Sequence, residues 1–272
     1  MAEKVFFESD LEQATLEWLE ELGYEVVFGP DIASDGLRPE RSSYEDIILV
    51  NRLRDALNAF NIDLPKQAIE DAIRSILIPK QVSLIENNRA FHRMITDGVD
   101  VSFHDKSGTL KHSQVRLFDF DNVDNNDFLV VNQFTVVENR VEKRPDVVVF
   151  VNGIPLVVFE LKTAADEKIS IKAGYRQIKN YQQMISNIFV YNAFNVISDG
   201  LHAKAGTITS NEDRYMTWRT IDGDIIAPNS EPQLETLIKG MFDKRRFLDL
   251  IKQFILFQKE DHEYIKILAG YH

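Results

Sequence analysis

Apolar residues near the start of the chain recur at helical spacing. Leu11, Ala14, Thr15, Trp18, Leu19 and Leu22 fall on one face until Gly23, and Ser9-Asp10-Leu11-Glu12 has capping-box spacing, so a first helix is predicted here. Tyr24 to Phe28 alternates as a short strand, and a loop containing Gly29-Pro30, Gly36 and Pro39 follows. Ser43 with Asp46 three residues on predicts a second helix through Phe60. Pro65 opens a third, and Pro79 divides it from a fourth over roughly 80–96.

From Val99 the pattern changes to short β-branched and aromatic runs, which predict a sheet from strands at 99–103, 115–118, 128–137, 146–151 and 156–162. A helix carrying Ile171, Tyr175, Ile178, Tyr181, Gln182 and Ile185 is predicted over about 168–186, followed by strand-like runs at 188–197 and 203–209. After Pro232 the pattern reads as helix again, in two or three segments to His272. No internal repeat, low-complexity tract or flexible linker interrupts it. The close behind Tyr264-Ile-Lys-Ile-Leu-Ala-Gly-Tyr-His272 reads as a cut through a longer polypeptide.

Composition is that of an ordinary globular protein, 44% hydrophobic and 27% charged over 272 residues. The absence of cysteine removes disulfides, thiolate zinc sites and thiol nucleophiles, and fits a reducing cytoplasm. No apolar run reaches the ~18 residues of a membrane span, and the opening lacks a signal-peptide core, so a soluble, cytoplasmic protein with no membrane partner is expected. A net charge of −12 argues against nucleic acid, but its distribution changes that reading. Residues 1–50 hold thirteen Asp and Glu against Lys4, Arg38 and Arg41. Between Lys162 and Lys204 the sign reverses, with six basic residues against Asp166, Glu167 and Asp199. A locally basic surface is expected there.

The chemistry concentrates in Arg144-Pro-Asp146 and Phe159-Glu160-Leu-Lys162, on two apolar runs flanking Asn152-Gly153. Asn-Gly is a strong two-residue hairpin turn. With that turn, 146 faces 159 and Asp146 lies diagonally beside Glu160; a loop one residue longer would put them directly opposite. Strand alternation sends Glu160 and Lys162 to one face and Phe159 and Leu161 to the other. Two carboxylates among Val, Ile and Phe are costly unless they bind something, and one or two carboxylates with waters and a substrate phosphate suit Mg²⁺. The simpler alternative is a Glu160–Lys162 salt bridge on surface strands. On the next helix Gln177 and Tyr181 share a face at i,i+4, suited to phosphate-backbone contacts, or else to Tyr181 packing on the sheet with Gln177 solvated. Other signals carry less. Asp119 to Asp127 resembles a calcium loop in composition only and reads as an Asx-rich turn, and the six histidines show no metal spacing.

These residues resemble the PD-(D/E)xK nuclease motif with its Q-x-x-x-Y helix. The stretches Glu160-Leu-Lys-Thr-Ala-Ala-Asp-Glu-Lys168, Ala193-Phe-Asn-Val-Ile-Ser-Asp-Gly200, Trp218-Arg-Thr-Ile-Asp-Gly223 and Arg41-Ser-Ser-Tyr-Glu-Asp46 resemble the amino-terminal endonuclease region of the R subunit of type I restriction-modification enzymes. The resemblance implies an α/β fold with a central mixed sheet flanked by helices and extra terminal helices. It implies a nuclease domain over 1–230 with a helical insertion at about 43–97, and a helical segment over 231–272 leading toward an ATP-driven translocase. No G-x-x-x-x-G-K-[ST] occurs here, so ATP is expected to serve only that absent portion. The implied activity is Mg²⁺-dependent cleavage of double-stranded DNA, non-specific in sequence, in a complex with methyltransferase and specificity subunits. By the motif, Asp146 and Glu160 would bind metal, Lys162 would serve the attacking water, and Gln177 and Tyr181 would hold DNA; the basic 162–204 stretch, apart from the motif, adds Lys172 and Lys179 as expected DNA contacts. The family's additional glutamate from the first helix points to Glu12, with Glu8 and Glu17 as rivals. The second reading is a catalytically silent nuclease-like fold that docks a partner or gates a motor through its acidic first helices.

Overall fold

The computed structural model describes residues 8–162, 167–199, 202–228, 231–261 and 263–270. Residues 163–166, within one of the stretches that carry the resemblance, lie outside the described residues, as do Gly200, Tyr271 and His272.

The chain opens with helix α1 (Glu8–Glu21), strand β1 (Glu25–Phe28) and the single turn α2 (Gly29–Ile32), then helices α3 (Val50–Phe60), α4 (Lys66–Leu77) and α5 (Leu84–Asp97). A hairpin of β2 (Val99–His104) and β3 (Leu110–Val115) precedes β4 (Phe128–Asn132), a small hairpin of β5 (Val136–Glu138) and β6 (Val141–Lys143), and the long hairpin of β7 (Val147–Val151) and β8 (Ile154–Leu161). Helices α6 (Glu167–Met184) and α7 (Ser186–Val190) lead to β9 (Phe194–Ser198) and β10 (Ala203–Gly206). Helices α8 (Gln233–Met241) and α9 (Lys244–Gln253) and the hairpin of β11 (Ile255–Glu260) and β12 (Glu263–Leu268) follow.

Six strands make one mixed sheet in the order β1-β4-β7-β8-β9-β10, with β1 parallel to β4 and β8 parallel to β9. The β8–β9 connection is parallel, so the chain must cross a face of the sheet, and α6 does this. Strands β7, β8 and β9 are buried along their whole length, which is why they read as continuous apolar runs rather than alternations. Phe159 on one face of β8 packs on Phe242, which stacks on Phe247. The opposite face of β8 carries Glu160. The architecture is the mixed α/β sheet flanked by helices that the resemblance implies, and among the described residues no helix is long and apolar enough to cross a membrane.

Five predicted elements differ; the 115–118 run is not a strand, since β3 lies earlier, over Leu110–Val115. The second helix begins at Val50, not Ser43, because the Asp46 carboxylate accepts the backbone N–H groups of Ser42 and Ser43 and turns residues 42–46 back on themselves. The 128–137 run breaks at Gln133, whose φ of 55° ends β4, so β5 pairs only with β6 outside the main sheet. The 188–197 run is helix through Val190: the Asn88 side chain gathers the carbonyls of Phe189, Val190 and Asn192 and ends α7 before β9 starts. The segment over 231–272 is not helical throughout, since it closes in the β11–β12 hairpin. Lys266 conceals that alternation by pointing inward, 3% exposed, with its Nζ on Asn88 Oδ1 at 2.8 Å and on the Asn192 carbonyl at 2.7 Å. Burial pulls its ammonium down to about 7. The Asp119 segment is the expected Asx turn, with Asp119 Oδ1 accepting from the N–H groups of Asp121 and Asn122.

Candidate active site

The site lies where β7 begins and β8 ends. Asn152 and Gly153, with φ of 52° and 74°, form the two-residue turn, and Val151 pairs with Ile154. Glycine is required at 153, where a Cβ would meet the Leu49 carbonyl oxygen at 2.4 Å. The register then slips between Val149 and Phe150, so that Val147 pairs with Phe159. One step further along the same register, Asp146 stands opposite Glu160. The bulge therefore does what a longer loop would have done.

Glu160 is 1% exposed. Its Oε1 accepts from Lys162 Nζ at 2.7 Å, while Oε2 is buried with no hydrogen-bond partner among the described residues. Asp146 Oδ2 accepts from the Leu161 N–H at 2.7 Å. Burial, and next the neighbouring Asp146 charge, push the Glu160 carboxyl up to about 7. Burial likewise pushes Asp146 up to about 6, against the Leu161 N–H and Lys162, with Glu8 and Glu12 adding repulsion. Lys162 also reaches Glu8 Oε1 at 2.6 Å. Burial alone would lower its ammonium, but Glu160 and Glu8 hold it above the usual lysine range.

The first helix supplies two of its three candidate glutamates. Glu8 touches Lys162, whereas Glu17 is exposed and accepts from Gln13. Glu12 does not serve as the capping partner of Ser9, which already lies inside α1. Its two oxygens accept from Asn132 Nδ2 at 2.7 Å and Gln133 Nε2 at 2.5 Å. The Gln133 N–H in turn donates to the Asp146 carbonyl at 2.9 Å. Glu12 thus braces the chain that presents Asp146. Asn132 and Gln133 were not legible as site residues, because only the parallel pairing of β1 and β4 brings them beside a helix 120 residues earlier.

On α6 the Tyr181 ring is buried and its hydroxyl donates to the Arg144 carbonyl at 3.4 Å; burial and then the Glu160 charge raise its phenol. Gln177 lies one helical turn before Tyr181, on the same face of α6. Lys172 and Lys179 sit on the other side of α6 and are not brought to the carboxylate pair. Lys172 faces Glu212 at 4.0 Å, and Lys179 donates to the Ile208 carbonyl at 2.9 Å.

The donor set fits a hard divalent cation. An orphaned, buried carboxylate oxygen on Glu160 stands across the strand pair from a second carboxylate, and both groups are destabilised as anions by burial. Among the described residues no three His, Cys, Asp or Glu side chains converge as a cage, so the pair supplies two carboxylates, the number Mg²⁺ commonly takes alongside water and phosphate.

A family model described as "Type I restriction enzyme R protein N terminus" matches residues 6–214. The chain belongs to this R protein N-terminal family. It is 33% identical over 269 residues to the "Type I restriction enzyme HindI endonuclease subunit" of Haemophilus influenzae, covering 97% of this chain and 25% of that one. It is 31% identical over 287 residues, 96% of this chain and 26% of the other, to a Methanocaldococcus jannaschii protein provisionally named the type I restriction enzyme MjaIXP endonuclease subunit. This R protein N-terminal chain thus spans about a quarter of the length of these curated relatives. The matched span of the R protein family contains Glu8, Glu12, Asp146, Glu160, Lys162, Gln177 and Tyr181.

Proposed function

We propose that this chain is the Mg²⁺-dependent endonuclease domain of a type I restriction enzyme R subunit, hydrolysing phosphodiester bonds of double-stranded DNA without sequence specificity of its own. The observation that carries the reading is the buried, unpartnered Glu160 Oε2 opposite Asp146, with Lys162 alongside. Asp146 and Glu160 would hold the ion. When bound, Mg²⁺ supplies Lewis-acid polarisation of the scissile phosphate and a more acidic water.

The chain's own groups have separable roles. Lys162 is held as an ammonium by Glu160 and Glu8, so it stabilises negative charge developing on the phosphate and orients the attacking water rather than taking its proton. Glu12 fixes Gln133 and through it the Asp146 backbone. Tyr181 stands beside Glu160 with Gln177 one turn away on the same helix face, where donors would meet a DNA backbone without reading bases. On this reading the recognition sequence belongs to the specificity subunit, methylation to the methyltransferase subunit, and ATP to a translocase segment outside these 272 residues, all in the cytoplasm.

Plasmid cleavage by the assembled restriction complex tests the reading. Asp146→Asn, Glu160→Gln and Lys162→Ala should each lower cleavage at least ~10²-fold while ATP hydrolysis persists. Cleavage near the wild-type rate in any of the three would leave a docking or motor-gating module in its place.

A further inference from the structure

We propose that the β5–β6 hairpin grips the DNA backbone and steers the duplex onto the carboxylate pair, with Arg140, Lys143 and Arg144 as phosphate contacts. The inference rests on the nuclease reading above and adds to it a binding element outside the α6 helix.

Placement is the first argument. Lys143 ends β6, and Arg144 and Pro145 run straight into Asp146. Two residue steps separate Arg144 from Asp146, at most about 7 Å of extended chain. The Arg144 carbonyl is also where the Tyr181 hydroxyl lands, so the base of the hairpin meets the Gln177–Tyr181 face of α6.

The second argument is which cations are free. The basic residues expected to meet DNA are already engaged: Lys162 with Glu8 and Glu160, Lys172 facing Glu212, and Lys179 on the Ile208 carbonyl. Arg140 and Arg144 are exposed and Lys143 is half-buried, and none of the three side chains forms an ion pair or hydrogen bond with a described residue. A polyanion can claim these three cations without breaking an existing hydrogen bond or ion pair to a described residue.

Backbone conformation supplies the third. Asn139 and Arg140 have φ of 50° and 67°, so both turn residues are left-handed. The second place of such a turn is glycine's, as at Asn152-Gly153 in this same chain. An arginine there strains the backbone, and its side chain makes no hydrogen bond or ion pair with a described residue that would offset the strain. The hairpin is nonetheless braced. Val137 N–H donates to the Tyr44 carbonyl at 2.9 Å, and Glu138 accepts from the Ser186 hydroxyl at 2.8 Å and the Asn187 N–H at 2.9 Å. Cations on a held scaffold lose little freedom when they meet a phosphate.

Fluorescence anisotropy with two labelled duplexes of unrelated sequence, in EDTA across a salt series, tests this with the whole 272-residue chain. Neutralising all three residues (Arg140→Gln, Lys143→Gln, Arg144→Gln) should weaken both duplexes alike. The slope of log affinity against log salt should fall by roughly 0.9 per cation, about 2.7 in all. Arg140→Gly alone should weaken binding yet melt at or above the wild-type temperature, since glycine relieves the turn. Wild-type affinity and slope in the triple variant overturn the hairpin inference alone, as does an Arg140→Gly chain that melts clearly lower with unchanged DNA binding. A wild-type chain that fails to bind duplex even at low salt overturns both the inference and the nuclease reading.

Discussion

Asp146 and Glu160 stand opposite each other because the β7–β8 register slips by one residue between Val149 and Phe150. The tight Asn152-Gly153 turn alone would have left them on a diagonal. The bulge therefore brings two carboxylates together in a strand pair whose neighbours are Val, Phe and Leu, where burial opposes the ionisation of both and the Asp146 charge further opposes that of Glu160.

That opposition gives the metal-free chain a defined pH dependence. The Asp146 and Glu160 carboxyls sit at about 6 and about 7 in the folded chain, above ordinary values of 3.8 and 4.5. The unfolded chain therefore gives up these protons first. Their contribution to stability is complete below about pH 4 and is lost as pH rises through 6 and 7. The metal-free melting temperature should fall across that window, and Glu160→Gln, which removes one of the two titrations, should flatten the fall and melt at or above wild type near neutral pH. Parallel melting profiles for the two proteins would contradict the repulsion argument.

Glu12 separates a brace from a metal ligand. Glu12→Gln places a donor against the amides of Asn132 and Gln133 and loosens the Gln133 contact to the Asp146 backbone. Cleavage by the assembled complex should drop by roughly ten- to a hundredfold, as expected for a misplaced group. Loss as complete as in Glu160→Gln would make Glu12 a ligand in its own right.

Lys179 should matter to the fold and not to DNA. Lys179→Ala removes its hydrogen bond to the Ile208 carbonyl, a loss of about 1 kcal/mol in denaturant titration. Duplex affinity and its salt slope should stay at wild-type values. A reduced salt slope would return α6's far side to the DNA surface.

Much of this site is local in sequence and therefore legible. Glu160 and Lys162 share a face by strand alternation, Gln177 and Tyr181 by helical spacing, and Asn152-Gly153 sets the hairpin. What escapes depends on distant partners. The bulge follows from how β7 and β8 pack, and the Glu12 clamp from the parallel β1–β4 pairing. Capping shows the same division: Ser9–Glu12 and Ser83–Glu86 have identical spacing, yet only Ser83 caps a helix, accepting from the Glu86 N–H, because Glu12 is recruited by β4 and the residue after it. The closing β11–β12 hairpin is obscured by Lys266, a charged residue at an inward position that only the Asn88 and Asn192 oxygens make tolerable.

Titration of the metal-free chain with Mg²⁺ by isothermal calorimetry in two buffers of different ionisation enthalpy tests the central claim most directly. The predicted result is saturable binding near pH 7 accompanied by proton release, because carboxyls held up at about 6 and about 7 must ionise fully to bind the ion. Binding should be lost in Asp146→Asn and in Glu160→Gln. Absence of binding in the wild-type chain, or binding that survives both substitutions unchanged, would contradict the assignment of this carboxylate pair as a divalent-metal site.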